Sequence, residues 1–553
     1  MSLPRDPLQP VPAETARIAH AAFPAGNVYM RLRDELGTLF ADELFTPIYA
    51  SEGQPALHPW QLALVSVMQF AENLSDRQAA DAVRARIDWK YALGLELSDE
   101  GFHYSALSEF RTRLVAGSLE QILLDRLLER CRERGWLKVR GRQRTDSTHV
   151  VGAVRAVNQL ELVGETLRAT LNVLATVAPE WLKEQVPPDW YERYGERMED
   201  YRLPKDKAER EALSQRIGDD GYYLLACVQH AAQAAQAGMD WLQQLPTIQT
   251  LEQTWAQQYR LTNGHARRLT PQERPPVGEW LRSPYDRDVR YGRKRSLEWV
   301  GYKVHVTEGC DDDRPHLITD VHTAPAIEQD HHALVTIQGH LARVDLLPAE
   351  QFVDAGYISA KRILHSRQTH GIDLMGPVHI DPSWQARTPG ALDLSQFTVD
   401  WKQERVTCPQ GQHSVGWHPA KDAKGESVVQ VLFAKAVCQV CPCRSLCTDA
   451  RATGRSMTLR FPQERHEMLL AARKRQQTEA FKELYRLRAG IEGTFSQTTR
   501  ITGVRRARYR GLPKTHLQHV LTAVATNLLR LDAWLQGVPF AKTRTSRFAA
   551  LAA

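Results

Sequence analysis

Strand and helix signals alternate through the middle of this chain, and that alternation restricts its fold more than any other feature. Trp299-Val-Gly-Tyr-Lys-Val-His-Val306 and His316-Leu-Ile-Thr-Asp-Val321 read as strands. A helix is expected from about Glu328 to Leu341, then a strand at Gln351-Phe-Val-Asp354, a helix after Ile358 and a strand at Ile372-Asp-Leu-Met375. Upstream, the segment from Leu137 to Asp146 reads as a strand ending on a carboxylate. Short period-two runs interleaved with helical periods call for a sheet with helices on its faces.

Three strands, helix, strand, helix, strand is the order of an RNase H-like core. Its mixed sheet puts the first and fourth strands side by side, joined by a right-handed crossover. The expected class is therefore α+β and multidomain: an RNase H-like mixed-sheet core, a helical N-terminal domain, a helical insertion and a small Cys-rich insertion. The segments divide as follows: 1–25, rich in Pro and Ala, a flexible leader; 26–130 a helical domain of DNA-binding type; 131–177 the first part of the core; 178–285 a helical insertion; 286–390 the second part; 391–460 a zinc-ribbon-like insertion; 461–537 the third part with a basic C-terminal segment; 538–553 a tail. Within the N-terminal domain, Leu62, Val65, Phe70 and Leu74 recur at helical steps, and Ser75-Asp-Arg-Gln78 reads as a capping box. These short helices suit a helix-turn-helix-like unit, although a bundle without DNA contact has the same pattern.

Composition excludes little. Of 553 residues, 42% are hydrophobic and 25% charged, which is ordinary for globular domains. The net charge of +6 is small for 71 basic and 65 acidic residues, so local clustering matters more than the total. The start lacks the apolar stretch of a signal peptide. No segment offers the ~20 apolar residues of a membrane span. A soluble, cytoplasmic protein is expected, associated with the nucleoid when active.

Five of the eight cysteines lie in one stretch: Cys408, Cys438, Cys441, Cys443 and Cys447. In a reducing compartment such clustering points to metal rather than disulfides. Cys408, Cys438, Cys441 and Cys447 suit a tetrahedral structural zinc site, with His413 an alternate ligand. An iron–sulfur cluster and free buried thiols are the other readings.

Asp146 stands in Thr-Asp-Ser-Thr-His149 and Asp354 in Val-Asp-Ala-Gly-Tyr357, each where a strand gives way to a turn. Glu492 follows in the helical run Tyr485-Arg-Leu-Arg488-Ala-Gly-Ile-Glu492, whose spacing puts Tyr485, Arg488 and Glu492 on one face. Three converging carboxylates suit hard divalent ions, and Arg488 with Tyr485 suits an adjoining phosphate. Such a triple means little without its settings. Gly490 and Gly493 flank Glu492 inside a helix, where each costs about 1 kcal/mol relative to alanine, so close approach by a neighbour is expected. Asp320 competes with Asp354 but lacks the Gly-Tyr turn. Glu328, Asp330, His331 and His332 are read as the acidic start of a helix. From Phe481 to Lys514 nine basic residues, Lys482, Arg486, Arg488, Arg500, Arg505, Arg506, Arg508, Arg510 and Lys514, face only Glu483 and Glu492. That stripe suits a phosphate backbone; a solvated basic face is the plainer reading.

Taken together, Asp146-Ser-Thr-His149, Asp354-Ala-Gly-Tyr357 and Tyr485-xx-Arg488-xxx-Glu492 resemble the signatures of DDE transposases of bacterial insertion sequences, most closely the insertion-sequence 1182 group. Asn158-Gln-Leu-Glu-Leu-Val-Gly-Glu-Thr-Leu-Arg168, Gly503-Val-Arg-Arg-Ala-Arg-Tyr-Arg-Gly511 and Lys514-Thr-His-Leu-Gln-His519 extend the resemblance, which runs from about Phe23 to Leu535. It implies a retroviral-integrase-like fold and metal-dependent cleavage and transfer of transposon ends. Asp146, Asp354 and Glu492 then hold two Mg2+ (or Mn2+) ions, the partners are terminal inverted repeats and target DNA, and a homodimer pairs two ends. The related pattern often has Lys seven residues after the Glu; Thr499 stands there, followed by Arg500. A related nuclease without strand transfer and a domesticated DNA-binding protein are the rivals.

Overall fold

The computed structural model describes every residue except 6–9, 234–237, 424, 541–550 and 552–553. Most of the expected tail falls outside the described residues. The central sheet has six strands: β1 (Arg142–Val151), β2 (Arg290–Lys294), β3 (Leu297–Gly309), β4 (Ile318–Pro325), β5 (Glu350–Phe352) and β6 (Asp373–Met375). Their order is β2-β3-β1-β5-β6, with β4 also paired to β3. β3 is antiparallel to β1, β2 and β4, whereas β1, β5 and β6 run parallel. The helices Asp330–Arg343 and Ala360–His370 make the two crossovers. Leaving the edge strand β2 aside, this is the mixed sheet of an RNase H-like core, and the chain as a whole is α+β and multidomain.

β1 departs from expectation in place and character. It begins at Arg142 rather than Leu137, so Asp146 lies within the strand and not at its end. The apolar residues that suggested an earlier start lie in a turn, and Val139 is exposed. The strand itself is buried yet polar from Gln143 to Thr148. Buried polar groups need partners, and these have them. Gln143 donates to the Leu346 carbonyl (2.9 Å), Thr145 pairs with Thr307 (2.8 Å), and Arg144 donates to Glu308 (2.6 Å).

One continuous core joins the N-terminal helices, a face of the sheet and the C-terminal helix Leu512–Leu535, through residues such as Phe70, Leu127, Val304, Val321 and Leu521. The Ser75 capping box is present. The segment expected as a loose leader carries a helix, Ala13–Ala22, whose Thr15 hydroxyl donates to the Leu95 carbonyl (2.8 Å) and whose Ala19 is fully buried. Helices Gln159–Val177, Lys207–Gln233 and Pro246–Gln258, with a β-hairpin over 259–268, surround a second core. Asn158 caps the first of them with Glu161 completing the box. A third core, with Phe397, Val431 and Phe433, supports a small antiparallel sheet over 416–460, against which Cys408, Cys438 and Cys447 pack.

Candidate active site

β1 and β5 pair in parallel with Arg144 opposite Phe352. Asp146 stands two residues beyond Arg144 within β1, and Asp354 two residues beyond Phe352, just past the end of β5, so the two acids follow the paired ends of neighbouring parallel strands. Burial, with a smaller contribution from Asp354, raises the Asp146 carboxyl to about 6 even though Arg488 lies alongside. Asp146 Oδ1 accepts from the Ser147 backbone N–H (2.7 Å), and Oδ2 accepts from Arg488. Asp354 Oδ1 accepts from the Gly356 N–H (2.8 Å), which tightens the turn after β5.

Glu492 reaches the pair through Arg488, whose other guanidinium nitrogen lies 3.8 Å from Glu492 Oε1. Glu492 itself is exposed. The run carrying it is not one helix. Glu479–Tyr485 is α-helical, Arg486–Gly490 is a 3-10 turn, and Ile491–Thr502 is α-helical again. Arg144 explains the break: it donates to the Leu487 carbonyl (2.8 Å), and a Cβ on Gly490 would lie 1.9 Å from its guanidinium. Gly490 therefore leaves room for an arginine, whereas a Cβ on Gly493 would meet only open space.

Arg144 belongs to a buried charge network. Glu308, fully buried in β3, also accepts from Arg530 of the C-terminal helix (2.7 Å) and from Thr494 (2.6 Å). Burial opposes ionisation of Glu308, but Arg530 and Arg144 outweigh it and hold the carboxyl below its ordinary value. The network fastens β1 to the helix bearing Glu492. Tyr485 fastens the other side, donating to the Val353 carbonyl (3.1 Å) next to Asp354.

A further acid stands behind the pair. Asp330 Oδ1 lies 3.2 Å from Lys303 Nζ and accepts from the Ser147 hydroxyl (3.4 Å). A Cβ on Gly356 would lie 2.8 Å from Asp330 Oδ2 and 3.1 Å from Asp354 Oδ1. Tyr357 is buried there with its hydroxyl on His305 Nδ1 (2.6 Å). Asp330 opens its helix, as its sequence setting indicates, but no local signal tells that its side chain meets Ser147 and lies beside Gly356. Asp320 lies elsewhere, on His340, which also sits 3.5 Å from Asp125. His149 is partly buried, its ring 5.7 Å from that of Trp299.

The basic stripe divides. Arg508 turns inward over the Phe70 ring (4.4 Å) onto Asn73 and the Leu74 carbonyl, so it joins the N-terminal helices to the core. Arg505 donates to Thr148 (3.1 Å), and the chain around Arg506 adds to the end of β1. Lys482 and Arg486 pair locally with Glu479 and Glu483. Arg500, Arg506, Arg510 and Lys514 are exposed, Arg510 over Tyr285. The Thr499 hydroxyl points inward.

In the Cys-rich unit, burial pushes the Cys447 thiol up, with smaller contributions in the same direction from Cys438, Cys441 and Cys408. Cys443 accepts from Gln410 (3.4 Å), and His413 pairs with Thr407 (3.1 Å). As the side chains stand, no group of three or more His, Cys, Asp or Glu among the described residues is arranged to hold a metal ion. The donor chemistry nevertheless fits: hard carboxylate oxygens, one of them buried, at the sheet. No described helix is long and apolar enough to cross a membrane.

Two family models match. Residues 407–532 match the transposase DDE domain, and residues 18–113 match a transposase domain (DUF772). No curated protein matches the chain. DDE domains normally work with divalent metal ions, and the first match spans the cysteines, Glu492 and the basic segment.

Proposed function

We propose that this chain is a DNA transposase that cleaves transposon ends and joins them to target DNA, using Asp146, Asp354 and Glu492; the two transposase domain matches support the reading. The observation that carries the reading is the placement of Asp146 in β1 and Asp354 just past the end of the neighbouring parallel strand β5, with Arg488 linking Asp146 to Glu492. These three acids would hold divalent ions, Mg2+ or Mn2+, which supply an acidified water or 3′-hydroxyl and neutralise charge at the scissile phosphorus. Arg488 offers a planar guanidinium to the phosphate between them. Tyr485 holds the turn that bears Asp354, and the Arg144–Glu308–Arg530 network holds the helix that bears Glu492. Arg500, Arg506, Arg510 and Lys514 bind the DNA backbone, with Arg505 beside them. Two ends must be paired, so two copies act together on DNA. Cys408, Cys438, Cys441 and Cys447 would hold a structural zinc ion that fastens the small insertion. The test is incubation of the full chain with labelled DNA from the flanks of its own gene, with and without Mg2+. Metal-dependent nicking at the repeat ends and joined products are expected; nicking without joining favours the nuclease, and binding alone favours the domesticated protein.

A further inference from the structure

Asp330 is an acid near the pair that the proposed chemistry does not use. It opens the helix Asp330–Arg343, 183 residues after Ser147 in sequence but within hydrogen-bond reach of it. Its two oxygens face different ways. Oδ1 meets the Ser147 hydroxyl and Lys303 Nζ, and Lys303 in turn donates to the Glu328 carbonyl (2.8 Å). Oδ2 lies over Gly356, where the absent Cβ leaves the space that separates it from Asp354 Oδ1. One carboxylate thus bonds the residue after Asp146 and borders the turn that carries Asp354. A helix-start acid needs neither contact: it needs only the helix N-terminus, worth about 0.3–1 kcal/mol.

We propose that Asp330 is a positioning residue for the metal-binding acids, setting the separation of Asp146 and Asp354 through Ser147 and Gly356, with Lys303 fixing its own orientation. The proposal rests on the assignment of Asp146 and Asp354 as metal ligands. Two negative side chains on neighbouring strands repel, and a cation can only be shared between them if the backbone holds them at the right distance. Asp330 bonds the residue after Asp146 and lies beside the turn after Asp354. Groups that orient ligands in this way typically change metal affinity by about 10–100-fold when removed.

The experiment is Mn2+ titration of the full chain without DNA, read by electron paramagnetic resonance, on the wild type, Asp330→Asn, Gly356→Ala and Asp354→Asn. Asp330→Asn keeps the shape and loses the charge. Gly356→Ala places a methyl against both carboxylates. Both are expected to weaken Mn2+ binding at least about 10-fold, while thermal unfolding and gel-shift affinity for end DNA stay close to wild type. A purely structural helix-start role would lower the unfolding temperature slightly and leave the Mn2+ isotherm unmoved, which would overturn the proposal. If Asp354→Asn abolishes tight Mn2+ binding while Asp330→Asn does not, only the role of Asp330 fails. If Asp354→Asn also binds as the wild type does, the metal-ligand reading fails with it. Should Asp330→Asn not fold, Gly356→Ala decides by the same comparison.

Discussion

Glu308→Gln tests how the third acid is held. The change keeps size and shape but leaves Arg144 and Arg530, both largely buried, facing a neutral amide. Removing one partner of a buried ion pair costs about 3–5 kcal/mol. The amide oxygen can still accept one of the bonds that Arg144, Arg530 and Thr494 now make, so the lower end, about 3 kcal/mol, is expected. Urea unfolding followed by tryptophan fluorescence should show a lower midpoint with an unchanged slope. The pH dependence gives a second handle. The folded-state pKa of Glu308 is depressed, so its contribution is present above the unfolded value of about 4.3 and is lost as pH falls through the folded value. The variant should therefore lose less stability on acidification than the wild type. Thr494 lies two residues beyond Glu492, so cleavage should fall further than DNA affinity. A midpoint within about 0.5 kcal/mol of wild type, with normal cleavage, would refute the role assigned to the network.

Other perturbations separate the remaining parts. Burial disfavours charge on His340, but Asp125 and Asp320 outweigh it and raise its pKa to about 9; stability should be full below about pH 6.5 and decline as pH rises through about 9. His340→Gln should flatten that alkaline limb, and an identical limb in denaturation curves would contradict it. Metal analysis of the purified chain should find about one zinc, lost in Cys441→Ser; folded protein free of zinc would reject the thiolate site. Arg505→Ala with Arg506→Ala should weaken binding to end DNA and make its salt dependence shallower, because fewer counterions are released; an unchanged salt slope in gel shifts would make the stripe a solvated face.

The order of strands and helices was legible because β3 carries Tyr302, Val304 and Val306 at alternate positions and the crossover helices have clear periods. β1 was misplaced because its buried residues, Gln143 to Thr148, are polar and satisfied by partners far along the chain. Period-two hydrophobicity cannot register such a strand. The edge strand β2, Arg-Tyr-Gly-Arg-Lys, likewise lacks alternation. The helix Ala13–Ala22 was hidden by Pro and Ala content, since its stability comes from packing on the segment near Leu95 rather than from a strong amphipathic pattern. Around the candidate site, the local settings of Asp146, Asp354 and Glu492 stood out in the sequence. The 3-10 break before Glu492 did not, because its cause is Arg144, two insertions away. Arg508 looked like its basic neighbours, and only the tertiary contact with Phe70 and Asn73 separates it from the exposed cations.

The most direct test of the account is a paired cleavage and gel-shift assay on Glu492→Gln, with labelled end DNA in Mg2+. The substitution preserves size and hydrogen bonding but removes one negative ligand. Loss of that ligand should reduce cleavage and joining by several orders of magnitude, while end binding survives or tightens slightly, because affinity rests on the exposed cations. If Glu492→Gln cleaves and joins DNA at the wild-type rate, Glu492 is a surface helix residue and the three-carboxylate site is wrong.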